Sequence, residues 1–395
     1  MGSYAYISKS ALLENMRVLK AAASGSVPLP VVKADAYGHS NKIVLRELTK
    51  AYSKADLPMF CLARLSEAKG LADKFSDRDF LIFSAFEWDQ AEKLKHLKNI
   101  VWTLADFSDL KKWAELSEEA QAAFSRVHIN VNTGMNRLGI APNKLKELCL
   151  RLERTKLKVE GVYTHLWDSD AITEIESQKQ LVVFKGALKS LQEAKIITSD
   201  TWVHIDNSAA IRWSLDLGGY GRRAFRPGIH LWGLGLDQAF YDRDNFVKKL
   251  KPVMAVGAEV RQARKIHAGE GLSYGWRMKA ESDIFVASVP LGYADCIDRF
   301  FSWNGKGPHN GSLWIKGFEC PILSTVTMDM VMVKIDKMIF SELEQGKVLH
   351  AYWIHPKYQS AYDIASKLQT ITYEVSCRVQ QRIQRVLVED WGQLP

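Results

Sequence analysis

The sequence predicts an α/β chain, with an N-terminal (β/α)8 TIM-type barrel over residues 1–245 and a mainly β domain over 246–395. Three observations carry this. Over residues 5–240, short apolar runs alternate with longer amphipathic ones, the pattern of parallel strands separated by helices. After residue 245 the rhythm changes to short β-rich segments broken by Gly and Pro. Finally, 395 residues exceed one ordinary domain and suit a large one plus a smaller one.

The strand candidates in order are 29–33, 58–62, 79–83, 99–103, 127–131, 159–164, 201–205 and 226–231. Between them, segments 10–23, 41–53, 66–74, 87–97, 106–116, 142–154 and 173–194 space apolar residues at i, i+3 and i+4, as one buried helix face requires. Eight strands with crossover helices fit a closed barrel at this length better than an open sheet. In the second domain, 253–264, 283–290, 312–317, 321–324 and 330–335 read as β, and only 361–368 and 374–383 as helical. The first few residues are expected to pair with this β domain.

Composition narrows the function classes. Hydrophobic residues make up 47% and charged ones 25%, which is ordinary for a globular chain. The net charge of +8 is spread among acidic residues, with no basic block to track phosphates, so no nucleic-acid partner is expected. No apolar run is long enough for a bilayer, and the N-terminus lacks a basic region followed by an apolar one. A cytoplasmic chain is expected, a periplasmic one if a leader was removed. The five cysteines are scattered without metal spacing, so reduced thiols and no metal site are expected.

Active sites of such barrels gather at the C-terminal ends of the strands. The first strand ends in Val31-Val32-Lys33-Ala34-Asp35-Ala36-Tyr37-Gly38-His39. A lysine drawn toward apolar surroundings loses hydration, which lowers its pKa and makes it an amine nucleophile for an aldehyde. Later strand ends bring Asn132–Gly139 with Arg137, then His165, then Asp206-Asn207-Ser208, then Arg226-Pro227-Gly228-Ile229. Each has a plainer reading taken singly. His165 suits a core imidazole, Arg226 a turn residue, and Asn207-Ser208 a helix N-cap. The last reading is compatible with function, because a helix N-terminus with a serine also suits a phosphate.

Together these motifs resemble the alanine racemases, pyridoxal-phosphate enzymes of fold type III, over essentially the full length. The resemblance continues through Thr164-His165, His204, Ser273-Tyr274-Gly275, Leu291-Gly292-Tyr293-Ala294-Asp295, Met328-Asp329 and Tyr373-Glu374-Val375. It implies pyridoxal 5'-phosphate held covalently by Lys33. The cofactor phosphate would be bound by Tyr37, Ser208, the Gly228 and Ile229 amides and Tyr373, with Asn207 beside them. Arg226 would face the pyridine nitrogen, with His204 in contact. A guanidinium cannot accept a proton, so the ring nitrogen would stay neutral and a carbanion at Cα would be reprotonated promptly. The implied reaction is interconversion of L- and D-alanine by two bases, Lys33 on one face and Tyr274 of the partner subunit on the other. His165 would contact that tyrosine, a poor base at its reference pKa near 10. Arg137, Tyr293, Met328 and Asp329 would serve the substrate, Arg137 close to the reacting atoms. A homodimer with shared sites follows, as does D-alanine for peptidoglycan.

Two departures stand out. Many relatives carry a carbamylated lysine seven residues before the arginine equivalent to Arg137, where this chain has Asn130. An uncompensated guanidinium is costly, so a chloride near Asn130 and Arg137 is expected. The usual Gly-Arg before the Met-Asp motif is Ser324-Thr325, although Arg299 matches its family counterpart. That loss is expected to affect KM more than kcat. Asn130 keeps a broad-specificity amino-acid racemase open beside alanine racemase. A pyridoxal-phosphate decarboxylase and a non-catalytic cofactor-binding protein fit less well, because neither accounts for Tyr274 and Arg226 together.

Overall fold

Apolar runs bounded by turn residues become strands in two compact units. In the computed structural model, which describes residues 2–23, 25–303, 306–307 and 310–395, one unit comprises residues 13–36 and 41–231. The other comprises 1–12, 37–40 and 232–395. The strand β1 (Ser3–Ser8) belongs to the second.

The first unit holds β2 (Val27–Pro28), β3 (Met59–Arg64), β4 (Asp79–Ala85) and β5 (Ile100–Leu104), then β6 (Arg126–Asn130), β7 (Lys158–Tyr163), β8 (Trp202–Asn207) and β9 (Arg222–Arg226). All eight pair in parallel in the order β2-β9-β8-β7-β6-β5-β4-β3. A parallel bridge between Val31 and Cys61 joins the two ends of that order and closes the barrel. Branched and aromatic residues such as Phe60, Phe80, Val127 and Ile129 are fully buried, as crossover helices on the outside require. Near the strand starts, Arg126 donates to both oxygens of Asp79 at 2.7 Å and to Glu160 at 2.7 and 2.8 Å.

Local chemistry moves several expected boundaries. The last barrel strand is Arg222–Arg226, not 226–231, because Pro227 cannot extend the ladder and Ile229–Trp232 winds into a 3-10 helix. The first strand is not 29–33 but Val27–Pro28, and of the expected residues only Val31 forms a bridge, since Pro30 offers no N–H. The expected helix 66–74 breaks into Leu65–Ala68 and Leu71–Lys74 at Gly70, whose φ is 73°. An unforeseen short helix, Glu118–Ala123, starts where the Ser117 side chain accepts the Ala120 N–H.

The second unit centres on a nine-stranded sheet. Its further strands are β10 (Met254–Glu259), β11 (Gln262–Ile266), β14 (Ile284–Val289), β15 (Ser312–Ile315), β16 (Phe318–Leu323), β17 (Val331–Ile335), β18 (His350–Ile354) and β19 (Gln384–Val388); the small hairpin of β12 (Gly271–Leu272) and β13 (Met278–Lys279) stands apart. β1 lies between β10 and β19, antiparallel to the first and parallel to the second. Here the helix reading needs correction. Lys337–Glu344 is a helix capped by Asp336, and the expected 374–383 is shorter, Thr372–Cys377, with a strand beginning at Gln384. No helix among the described residues is long and apolar enough to cross a membrane.

Candidate active site

Lys33 sits at an unusual turn. The four residues after it, Ala34, Asp35, Ala36 and Tyr37, have φ of 53°, 52°, 56° and 54°. Left-handed backbone costs an L-residue roughly 1–2 kcal/mol, so a run of four needs local compensation. Hydrogen bonds supply it. Glu67 Oε1 accepts the Ala34 N–H at 2.9 Å, and its Oε2 accepts the Ala63 and Arg64 N–H groups at 2.7 and 3.2 Å. Asp35 accepts the Asn41 N–H at 2.8 Å, and the Val32 carbonyl accepts from Ala36. Glu67 thus ties the end of β3 to the turn that carries Lys33. Sequence reading missed it; the only signal was an acidic residue three positions into a helix.

Arg226 ends β9 and is 3% exposed. One terminal nitrogen donates to His204 Nδ1 at 2.7 Å and to the His204 carbonyl at 2.9 Å. The other donates to the carbonyls of Thr164 and Ile205 at 2.8 and 3.1 Å. Its guanidinium lies 5.3 Å from the centre of the Tyr163 ring, which stacks on His204 at 4.8 Å. No carboxylate among the described residues pairs with it. Burial therefore lowers its pKa against the weaker pull of Tyr163, Cys61 and Asp206. Both terminal nitrogens are fully committed, leaving Nε–H as the donor available to another group.

His165 follows β7 and is brought near three cations. Burial first, then Arg226, Arg137 and Lys33, push its pKa down to about 3. The ring is neutral at physiological pH. Its backbone is held by Gln180, which donates to the His165 carbonyl at 3.1 Å and to Thr133 Oγ1 at 2.9 Å while accepting the Trp167 N–H. Within the barrel unit, Lys33, Arg137 and Arg226 thus all act on the charge of His165, and Arg226 is bonded to His204.

Asn207 and Ser208 divide their labour. The Asn207 side chain caps the following 3-10 turn by accepting the Ala210 N–H at 3.1 Å, and it donates to Ser169 Oγ at 2.6 Å. The Ser208 hydroxyl instead accepts the Gly228 N–H at 2.8 Å. Ile229 opens the short helix beyond. Arg137 is exposed on a loop closed by Asn132, whose Oδ1 accepts the Gly134 and Asn136 N–H groups at 3.1 Å. Asn130, the last residue of β6, is 6% exposed.

The remaining candidates lie in the other unit. Tyr37 and Tyr373 pack with ring centres 6.0 Å apart. Tyr274 is 74% exposed, in a turn where Ser273, Gly275 and Trp276 all have positive φ. Tyr293 and Met328 are brought together, since the Tyr293 and Ala294 N–H groups donate to the Thr327 and Met328 carbonyls at 3.0 Å. A side chain on Gly292 would come within 2.2 Å of the Met328 carbonyl, so this approach requires glycine. Asp329 is ion-paired to Arg382 at 2.7 Å. Ser324 has a φ of 60°, a backbone conformation that favours glycine, and its hydroxyl donates to the Leu272 carbonyl at 2.9 Å.

Two family models match in tandem, the alanine racemase N-terminal domain over residues 7–235 and the C-terminal domain over 253–387. The chain belongs to the alanine racemase family. An alanine racemase from Listeria monocytogenes serotype 1/2a is 32% identical over 387 residues, 96% of each chain. Among solved structures, alanine racemase from E. faecalis superposes with a TM-score of 0.79 at 27% identity, covering 98% of both chains. The fold is shared too with a Bartonella henselae alanine racemase described with covalently bound pyridoxal phosphate, at TM-score 0.76 and 24% identity over 98% of this chain and all of that one.

The residues present fit the family's cofactor. A lysine stands on a fixed turn, a buried guanidinium keeps one uncommitted N–H for a ring nitrogen, and the Ser208 hydroxyl, which accepts the Gly228 N–H, would join the Ile229 amide as a neutral donor to a phosphate.

Proposed function

We propose that the protein racemises alanine with pyridoxal 5'-phosphate. The observation that supports this most is Arg226: a fully buried guanidinium held by an imidazole and three carbonyls rather than by a carboxylate. Lys33 would hold the cofactor covalently, Arg226 its pyridine nitrogen, and Ser208, Gly228 and Ile229 its phosphate. When bound, the cofactor acidifies the substrate Cα–H by withdrawing electrons. Because Arg226 has no proton-accepting site, it leaves the ring nitrogen unprotonated and limits that withdrawal.

The chain's own groups then move the proton. Lys33 Nζ takes or gives it on one face of Cα, and the phenol of the partner subunit's Tyr274 serves the other face. His165, neutral and surrounded by cations, accepts a hydrogen bond from that phenol without adding charge. Arg137 anchors the substrate carboxylate, with Tyr293 and Met328 shaping the pocket and Asp329 acting through Arg382. Tyr37, Tyr373 and Asn207 have cofactor roles only by the resemblance. The functional particle is a homodimer, and its product D-alanine would feed peptidoglycan.

Asn130 supports a second reading on substrate breadth. By the resemblance this buried position would carry an anionic lysine carbamate, and a chloride shared with Arg137 would supply the missing charge. Diffraction from bromide-grown crystals should show an anomalous peak there, and a blank map would remove the halide. The function itself is tested by a visible spectrum of the purified protein followed by polarimetry with L-alanine. Bound-cofactor absorbance and decay of optical rotation to zero are expected; persistent rotation in a cofactor-loaded sample contradicts the proposal. Parallel assays with serine, lysine and arginine enantiomers separate a strict alanine enzyme from a broad one.

A further inference from the structure

The hydrogen bonding around Arg226 extends one residue deeper into the barrel than the site needs. His128, on β6, is fully buried, and its Nδ1 lies 3.0 Å from His204 Nε2. His128 Nε2 is buried with no partner among the described residues. Any side chain at Gly161 on the neighbouring β7 would collide with this imidazole at 2.5 Å, so the strand makes room for it. The ring thus occupies a built position and makes one hydrogen bond.

The direction of that bond is forced. A guanidinium only donates, so His204 Nδ1, 2.7 Å from Arg226, must be bare. A neutral His204 then carries its proton on Nε2 and donates it to His128. His128 Nδ1 must accept, which leaves the His128 proton on Nε2, the atom without a partner. Both rings are neutral: burial and the Arg126 and Arg226 charges hold His128 near 3, and burial with Arg226 and His128 takes His204 well below its ordinary value. An unpartnered buried N–H is unfavourable, with no structural return at that atom.

We propose that His128 is a positioning residue for the reaction, accepting the His204 Nε2 proton and so holding the tautomer that presents a lone pair to Arg226. With the opposite tautomer, an N–H would face an N–H across 2.7 Å and drive the guanidinium from its place. The two-imidazole relay therefore fixes Arg226 without neutralising it, which a carboxylate in the same position would do. This rests on the role proposed above for Arg226 at the cofactor ring, although the tautomer assignment does not.

The test labels histidine with 15N and reads both rings by NMR, in cofactor-free and cofactor-loaded protein. A pyrrole-type nitrogen at His204 Nε2 and a pyridine-type one at Nδ1 are expected, with the same pattern at His128. A His204 proton on Nδ1, or a doubly protonated ring, overturns the proposal whatever the enzyme's activity. His128→Leu should cut kcat roughly 10–100-fold with KM for alanine changed far less. His128→Asn places an oxygen acceptor near the lost Nδ1 and should recover most of that rate and the His204 signature. Full activity in His128→Leu, or no recovery in a folded His128→Asn, also overturns it. If the protein loads no cofactor or does not racemise, the function proposal falls while the NMR result still stands or fails by itself.

Discussion

The barrel unit and the β unit hold their candidate site residues in opposite ways. In the barrel, Arg226 is 3% exposed with four hydrogen bonds, and Lys33 rides on a turn pinned by Glu67 and Asp35. In the β unit, Tyr274, Tyr293 and Met328 are 74%, 44% and 52% exposed, on loops rather than strands. One set is preorganised by a single chain, as residues that hold a cofactor must be. The other is displayed outward, with large side chains exposed to water. The difference teaches that, on the proposed function, folding alone would complete only half of the site.

The sharpest way to break that contrast is to remove the amine. Lys33→Ala should abolish both racemisation and the visible absorbance of the bound cofactor, read by spectrophotometry on the loaded protein; retained absorbance would place the covalent link elsewhere. Tyr274→Phe should keep the absorbance, since it alters only the displayed set. It should lose solvent-deuterium exchange at Cα chiefly from one enantiomer, and unchanged exchange from both would remove Tyr274 as a base.

Acid should unmake the preorganised set first. His128 and His204 have folded pKa values below the unfolded value near 6.5, so the unfolded chain binds more protons and stability falls as pH drops below about 6.5. Between pH 7 and pH 5 His128 contributes a loss of roughly 2 kcal/mol, and His204 acts in the same direction. Urea unfolding at the two pH values measures it, and a stability independent of pH in this window would contradict buried neutral rings.

Glu67→Gln keeps one acceptor but only one, against three backbone donors. A fall of roughly tenfold in kcat is expected, with the cofactor still bound. The smallest effect belongs to Ser324→Gly, which removes one hydrogen bond to Leu272, two residues before Tyr274. A twofold change in KM or less, about the worth of one partly compensated bond, is expected from steady-state kinetics.

Much of this was legible in the sequence because strand ends are strongly marked. The alternation of apolar runs gave the barrel, and Lys33, His165 and Arg226 stood out because ionisable groups beside apolar strands demand a reason. Glu67 and His128 were not legible. Glu67 bonds the Lys33 turn across 33 residues of sequence, and His128 meets His204 across 76. No local pattern encodes such pairings. The eighth strand was misplaced for a different reason: Phe225 to Leu231 is apolar enough for a strand, and only Pro227 and Gly228 reveal the turn.

The dependence of one chain on another is tested by mixing two dead variants. Lys33→Ala and Tyr274→Phe are unfolded and refolded together, or co-expressed with different tags and purified as the heterodimer. A site assembled from both chains predicts that each heterodimer regains one intact site, so a random mixture recovers about a quarter of wild-type activity. A purified heterodimer with no more activity than its parents would show that residues 33 and 274 do not meet across subunits, and the account would fail.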